Sequence, residues 1–288
     1  MNTKPFKLAL IQMQVKGGDR DWNVNHAVEL IAEAASSGAE VALLPECMDL
    51  GWTHPSGLEM AEGIPNGWVC QTLMKAAKQH SIYVCAGLTE RSNGQVFNSA
   101  IIIDKHGKVL GRHRKLNELG IAHDRYAQGD RLNVVETEFG TFGLLICADA
   151  NTKDRILTRS LCYMGADVIL VPSAWAVPKG HDNSKDSYGD TWRDAYMPVA
   201  KEFSVYIFGT SNVGKVDGGP WDGWSCIGCS LAIGPAGEEI LQGPYGVDAE
   251  CILYVDVSPT QRPARGTGWN EHWRQGAAED STSRSAEL

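Results

Sequence analysis

The chain has 288 residues, 43% hydrophobic and 21% charged, the balance of a soluble globular protein rather than of a disordered or fibrous one. Its 26 basic and 35 acidic side chains leave a net charge of −9 with no basic cluster set against it, which argues against a nucleic-acid partner. No apolar stretch approaches the length of a membrane span, so no membrane partner is expected. The expected location is the cytoplasm, where the eight cysteines would be reduced thiols.

In chain order, the opening "MNTKPFKLALIQMQV" reads as a strand rather than as a leader peptide. "NVNHAVELIAEAASS" follows with apolar residues at Val24, Ala27, Val28, Ile31 and Ala34, the stripe of an amphipathic helix, and Gly38 suits the left-handed position beyond its end. "VALLPE" is a buried strand stopped by Pro45, with Glu46 just past it. A second helix and the strand "SIYVCAGLTER" lead into a hairpin turning at "DKHGK". The basic run Arg112, His113, Arg114, Lys115 comes next. Strand alternation puts His113 and Lys115 on one side and Arg114 on the other. "TFGLLICADA" is a strand ending at Cys147.

Beyond it the chain repeats itself. "SSGAEVALLPE" resembles "YMGADVILVPSAW", "SIYVCAGLTER" resembles "SVYIFGTSNVG", and "NSAIIIDKHGKVLG" resembles "GCSLAIGPAGEEIL", in the same order and at nearly one separation. Two similar halves, each a sheet with helices on one face, bury their remaining faces by packing sheet on sheet. The expected fold is an α/β, αββα four-layer sandwich. Residues 1–260 form that domain. Residues 261–288 lose periodicity and are expected to be partly disordered or to pack on a partner subunit. "SCIGCSLAIG" reads as one strand, and its C-x-x-C, Cys226 and Cys229, lacks a second ligand pair at zinc spacing, so no metal or redox role is assigned.

Functional groups of such sheets collect at the carboxyl ends of strands. A Glu beyond a strand is usually a solvated loop acid, but "CMDLGW" after Glu46 stays apolar. A carboxylate there would be partly desolvated, as a general base near neutrality requires. The basic run reads as a solvated edge or as a source of one inward cation, Lys115. Of the cysteines, only Cys47 and Cys147 sit at exits of buried strands. Cys70 and Cys162 fall in helical patterns, Cys85 and Cys251 in strand runs.

"LLPE", the lysine after "RHRK", and "LLICAD" followed by "GADVILVPSAW" together resemble the nitrilase, or carbon–nitrogen hydrolase, superfamily over about residues 5 to 257. The resemblance implies the αββα sandwich, a homodimer or higher homo-oligomer, and neither metal nor organic cofactor. It implies Glu46 as base, Cys147 as nucleophile, and Lys115 with the backbone N–H of Ala148 as oxyanion donors, for hydrolysis of a small linear amide through a thioester. A second glutamate often stands between the lysine and the cysteine in this superfamily. Ala122 or His123 falls near that place, and Glu118, then Asp124, are the nearest acids. The arginine pair by which the N-carbamoyl-D-amino-acid branch clamps a carboxylate is replaced by Ala150 and Asn151, and the Trp-Glu of true nitrilases by Ala148 and Asp149. Amides are therefore expected, with N-carbamoyl amides and nitriles as alternatives.

The polar stretch 177–196 is read as an active-site loop or a surface insertion, with Trp175, Trp192 and Arg193 as substrate contacts. Asn212 lies at the matching strand end of the repeat. A papain-like Cys–His hydrolase is disfavoured because His113 and His123 precede Cys147 and no "CGSCW" context surrounds it. A non-catalytic binding protein would be expected to lose the base, the cation or the thiol. A redox-sensing Cys147 would alkylate without hydrolysing amides.

Overall fold

The computed structural model describes residues 3–259, so the tail assigned to 261–288 lies outside the described residues. The first half runs β1 (Phe6–Gln12), α1 (Arg20–Ser36), β2 (Val41–Leu43), α2 (Gly57–Met60), α3 (Trp68–His80), β3 (Tyr83–Ser92), β4 (Gln95–Ile103) and β5 (Val109–Arg114). The second runs β6 (Val134–Thr137), β7 (Gly140–Leu144), α4 (Ile156–Tyr163), β8 (Val168–Ser173), β9 (Ala176–Val177), α5 (Asp190–Phe203) and β10 (Tyr206–Ser211). It continues through β11 (Val213–Lys215), β12 (Ser225–Ile227), β13 (Leu231–Ile233) and β14 (Glu239–Gln242), and β15 (Cys251–Val257) returns to the first sheet.

Two six-stranded sheets result, ordered β15-β1-β2-β3-β4-β5 and β14-β13-β10-β8-β7-β6. In the first, β1, β2 and β3 are parallel and β4 and β5 turn back antiparallel. In the second, β7, β8 and β10 repeat the parallel trio, with β13 and β14 turning back. Strand alternation separates three cores. Leu8 and Leu10 of β1 and Val168 and Leu170 of β8 meet between the sheets. Ala9 and Ile11 face α1 and α3, and Ile169 and Val171 face α4 and α5. The layers are helix, sheet, sheet, helix.

The repeat extends to backbone detail. Ser81 ends α3 and Ser204 ends α5, both left-handed at φ 52°, and Gly38 and Gly165 are left-handed after α1 and α4. The turns "DKHGK" and "GPAGEE" carry Gly107 and Gly237, each at φ 81°. One strand assignment is corrected: "SCIGCSLAIG" is two strands, β12 and β13, because Gly228 at φ 67° and Cys229 at φ 60° break the extended chain between them. β12 instead joins β9 and β11 in a small three-stranded sheet that the first half lacks. No helix among the described residues is long and apolar enough to cross a membrane.

Gln12, fully buried at the end of β1, ties the halves together. Its Nε2 donates to Pro244 O at 2.9 Å and Ala249 O at 2.7 Å, and its Oε1 accepts from Ser230 N at 3.0 Å. Removing such a partner strands buried backbone groups. Gln12→Ala should therefore lower unfolding stability by about 3 kcal/mol, measured by urea denaturation.

Candidate active site

Glu46 leaves β2 at its carboxyl end, where its N–H donates to Ser173 O of β8 at 3.2 Å, bridging the strand tips of the two sheets. Its backbone lies directly on Gly87 of β3. A Cβ at residue 87 would come within 2.5 Å of Glu46 Cα, so this contact requires glycine. On β5 the expected alternation holds. Arg112 and Arg114 reach Glu90, while His113 and Lys115 turn inward and are buried. Lys115 pairs across the ladder with Asn98 of β4, its N–H donating to Asn98 O at 2.9 Å.

These strand tips bring the polar groups together. Lys115 Nζ donates to Glu46 Oε1 at 2.7 Å and stands 3.2 Å from Glu118 Oε1. Asn98 Nδ2 donates to Glu46 Oε1 at 2.6 Å and to Glu118 Oε2 at 3.1 Å. The acid joining Glu46 and Lys115 is thus Glu118. Asp124 is exposed, and so is His123, whose ring contacts the Glu118 carbonyl. Sequence reasoning missed Asn98. Its one signal was a polar residue inside the apolar strand "VFNSAIII".

Cys147 begins a 3-10 turn, Cys147–Asn151, directly after the β7 segment, and adopts φ 44°, a left-handed conformation uncommon for a residue with a Cβ. Cys147 is half-buried and packs against the core that contains Trp175 and Trp192. Ala148, next in the turn, is among the first residues, whose N–H groups have no acceptor within the turn itself. The Ala174 backbone amide, which the sequence did not single out, also faces the sulfur.

One carboxylate couples the Lys115 segment to the Cys147 turn. Asp149, fully buried, accepts from Ile146 N at 3.0 Å, Leu116 N at 3.0 Å and Asn117 N at 2.7 Å, and its Oδ2 lies 2.7 Å from His113 Nε2. Asn117 Nδ2 adds a bond to Ala148 O at 2.7 Å. The chain leaving Lys115 and the turn carrying Cys147 are held by this acid.

The electrostatics follow from burial and charge. Burial raises the Glu46 carboxyl above its ordinary value, against the opposing pull of Lys115. Burial alone would lower the Lys115 ammonium, but Glu46, Glu118 and Cys147 outweigh it and hold the lysine well above its usual value. Burial raises the Cys147 thiol, Glu46 raises it further, and Lys115 and the Ala174 amide only partly oppose them. The resting site therefore holds a neutral Cys147 thiol beside a charged Lys115.

The remaining expected contacts are placed differently from one another. Trp175 and Trp192 are buried and stack at 4.6 Å, forming part of the wall against which Cys147 packs. Arg193 is not brought to the cluster. It lies off the buried face of α5, where Glu239 holds its Nε at 2.6 Å, Gln242 its Nη2 at 2.6 Å and Asp190 its Nη1 at 3.1 Å. Of the stretch 177–196, only the part before Asp190 is a loop, and the rest begins α5. Ala150 is buried, Asn151 is half-buried and Asp154 is exposed. Cys226 and Cys229 are free thiols, and burial pushes Cys226 up to about 12.

A small cleft adjoins the cluster, lined by Trp52, Ala174, Ala176, Asn212 and Cys226 among others. The Lys115 ammonium lies 5.7 Å from the Trp52 ring centre. Cys47, next to Glu46, is sealed from solvent, its thiol donating to Asn98 Oδ1 at 3.5 Å.

The sequence matches the carbon–nitrogen hydrolase family over residues 7–265. A nitrilase of Pyrococcus abyssi is 30% identical over 256 residues, 87% of this chain and 90% of its own. An (R)-stereoselective amidase of Pseudomonas sp. is 27% identical over 237 residues, 82% of this chain and 80% of its own. Among solved structures, a variant of the amidase from Nesterenkonia sp. AN1 in complex with butyramide superposes with a TM-score of 0.74 at 21% identity, covering 88% of this chain and 91% of that one. The last likeness is one of fold.

Gly87→Ala should drive a methyl into the Glu46 backbone and lower stability by about 2 kcal/mol. Asp149→Asn should cost about 3 kcal/mol by converting an acceptor into a donor facing buried N–H groups. Urea denaturation of both variants measures these losses.

Proposed function

The chain belongs to the carbon–nitrogen hydrolase family, and we propose that it hydrolyses small linear amides to a carboxylic acid and ammonia or amine, with Cys147 as nucleophile, Glu46 as base and Lys115 as oxyanion donor. The observation carrying this reading is the buried Glu46–Lys115–Glu118–Asn98 cluster, whose charges act directly on the Cys147 sulfur.

A thiol held neutral by its surroundings is not poised as a free thiolate. Glu46 takes its proton as the sulfur attacks the amide carbon, so charge moves to the carbonyl oxygen rather than resting on sulfur. Lys115 and the Ala148 N–H face that oxygen. The tetrahedral intermediate collapses, Glu46 returns the proton to the leaving nitrogen, and a Cys147 thioester remains. Glu46 then removes a proton from water attacking the thioester, releasing the acid and restoring the thiol. Glu118 and Asn98 hold Lys115 and Glu46 in register and pass no proton.

The buried Trp175 and Trp192 shape the recess, and Arg193, already bound by three side chains, contributes no contact. The Pyrococcus relative supports nitriles as a second substrate class, since sulfur addition to a nitrile followed by hydration reaches the same thioester. Exposed Ile156, Tyr163 and Met164 around α4 support a homodimer or higher homo-oligomer.

Cys147→Ala, Glu46→Gln and Lys115→Ala should each reduce ammonia release from a panel of short amides by about a thousandfold or more. Intact mass spectrometry of the wild type under turnover should show an acyl adduct on Cys147. Full activity in any one of these variants would remove that residue from the scheme. The charge states add a pH signature. The rate should rise through a limb set by Glu46, above the usual carboxylate range, and then stay level past pH 9 because Cys147 and Lys115 both titrate higher. Iodoacetamide labelling of Cys147, which needs the thiolate, should still be climbing there.

A further inference from the structure

Cys47 stands at a strand exit next to Glu46, and the hydrolysis scheme makes no use of it. It is fully buried, so no substrate reaches its sulfur. Burial first, and then the charges of Glu46 and Asp49, hold the thiol well above its ordinary pKa, and it keeps its proton. The neighbours show where that proton points. Cys47 Sγ lies 3.5 Å from Asn98 Oδ1 and 3.7 Å from the hydroxyl of Tyr126, which accepts from Thr53 N at 2.9 Å. Asn98 and Tyr126 are buried as well. Asn98 Nδ2 in turn donates to Glu46 Oε1 at 2.6 Å and to Glu118 Oε2 at 3.1 Å.

The two ends of this chain of contacts fix its direction. A backbone N–H can only donate, and an ionised carboxylate can only accept. Thr53 N–H occupies the Tyr126 oxygen, so the Tyr126 proton goes to Cys47 Sγ. Burial holds the Tyr126 hydroxyl well above its ordinary pKa, and that proton stays in place. The Cys47 S–H is then left for Asn98 Oδ1, and the Asn98 NH2 for the two acids. Turned over, the amide would set its oxygen against two carboxyl groups and its NH2 against the thiol proton.

We propose that Tyr126 and Cys47 are positioning residues, forming a one-way relay from Thr53 N–H that locks the Asn98 amide with its N–H groups on Glu46 and Glu118. This assignment rests on the amidase reading above and adds to it the groups that orient the partner of Glu46. Neither residue touches substrate. The locked amide steadies the ionised form of Glu46, the form that takes the Cys147 proton. An unlocked amide would spend part of its time with its oxygen toward Glu46, which would then hold its proton to higher pH. A thiol is a weak donor, so the lock changes the rate by a modest factor.

Cys47 sits at φ 44°, where alanine and serine bear the same backbone cost. Cys47→Ala should lower kcat for a short amide about tenfold, leave KM within about twofold, and move the rising limb of the pH profile upward. Cys47→Ser keeps a donor and should stay within about threefold of the wild-type kcat, with its limb unmoved. Tyr126→Phe should move the limb upward by less, and should add nothing to Cys47→Ala because it acts through the thiol. Lys115, Glu118 and Cys147 around Glu46, and Asp49 near Cys47, are unchanged in every variant. Carbon-13 NMR of the Glu46 carboxyl, identified by its loss in Glu46→Gln, follows the same titration without turnover. Absence of ammonia release by the wild type would thus remove the amidase reading while the NMR titrations still decide this one. Should Cys47→Ala not fold, Tyr126→Phe carries the same comparison. An unmoved Glu46 titration, a serine variant as slow as the alanine one, or additive losses in the double variant would overturn the assignment.

Discussion

The Asp149 carboxylate gathers hydrogen bonds from two stretches of chain that carry different parts of the site. Leu116, Asn117 and His113 come from the segment around Lys115, and Ile146 from the turn around Cys147. A buried acid with several short bonds is costly to move, since any shift leaves donors unmet in a medium of low polarity. The cation is thereby fixed relative to the sulfur. Glu46 is fixed from the opposite side, by its contact on Gly87 and by the hydrogen bond its N–H donates to Ser173 O. Side chains that must act within a fraction of an ångström of one another rest on backbone held at both ends.

This arrangement also accounts for the charge state of the cluster. Burial first, and then the charge of Glu46, raise the Cys147 thiol, and Lys115 opposes them only in part. A free thiolate there would be exposed to any passing oxidant or electrophile. In the scheme proposed above, coupling deprotonation to attack restricts reactivity to molecules that fit.

Much of this was legible in the sequence because buried strands announce their ends. Glu46 after "VALLP" and Cys147 after "GLLI" stand at the carboxyl ends of buried strands, where functional groups of such sheets gather, and alternation turned Lys115 inward. The two-half layout showed in repeated motifs, down to the paired left-handed serines at 81 and 204. Asn98 was not legible, because a single asparagine within a strand looks the same whether it faces solvent or two buried acids. Arg193 could have been set aside, since Trp192, Ala195, Tyr196 and Val199 define the buried stripe of α5 and residue 193 falls off it. The small β9–β11–β12 sheet joins three short segments far apart in the chain, and no local pattern marks such pairings.

The internal symmetry is broken by the chemistry. Glu46 and Lys115 belong to the first half and Cys147 to the second, and the halves meet where Glu46 N–H reaches Ser173 across the gap between sheets. Neither half holds the whole constellation by itself. Turnover is consequently a gauge of docking between the halves. A substitution along the seam that slides one sheet over the other would silence the enzyme while each half still held its shape.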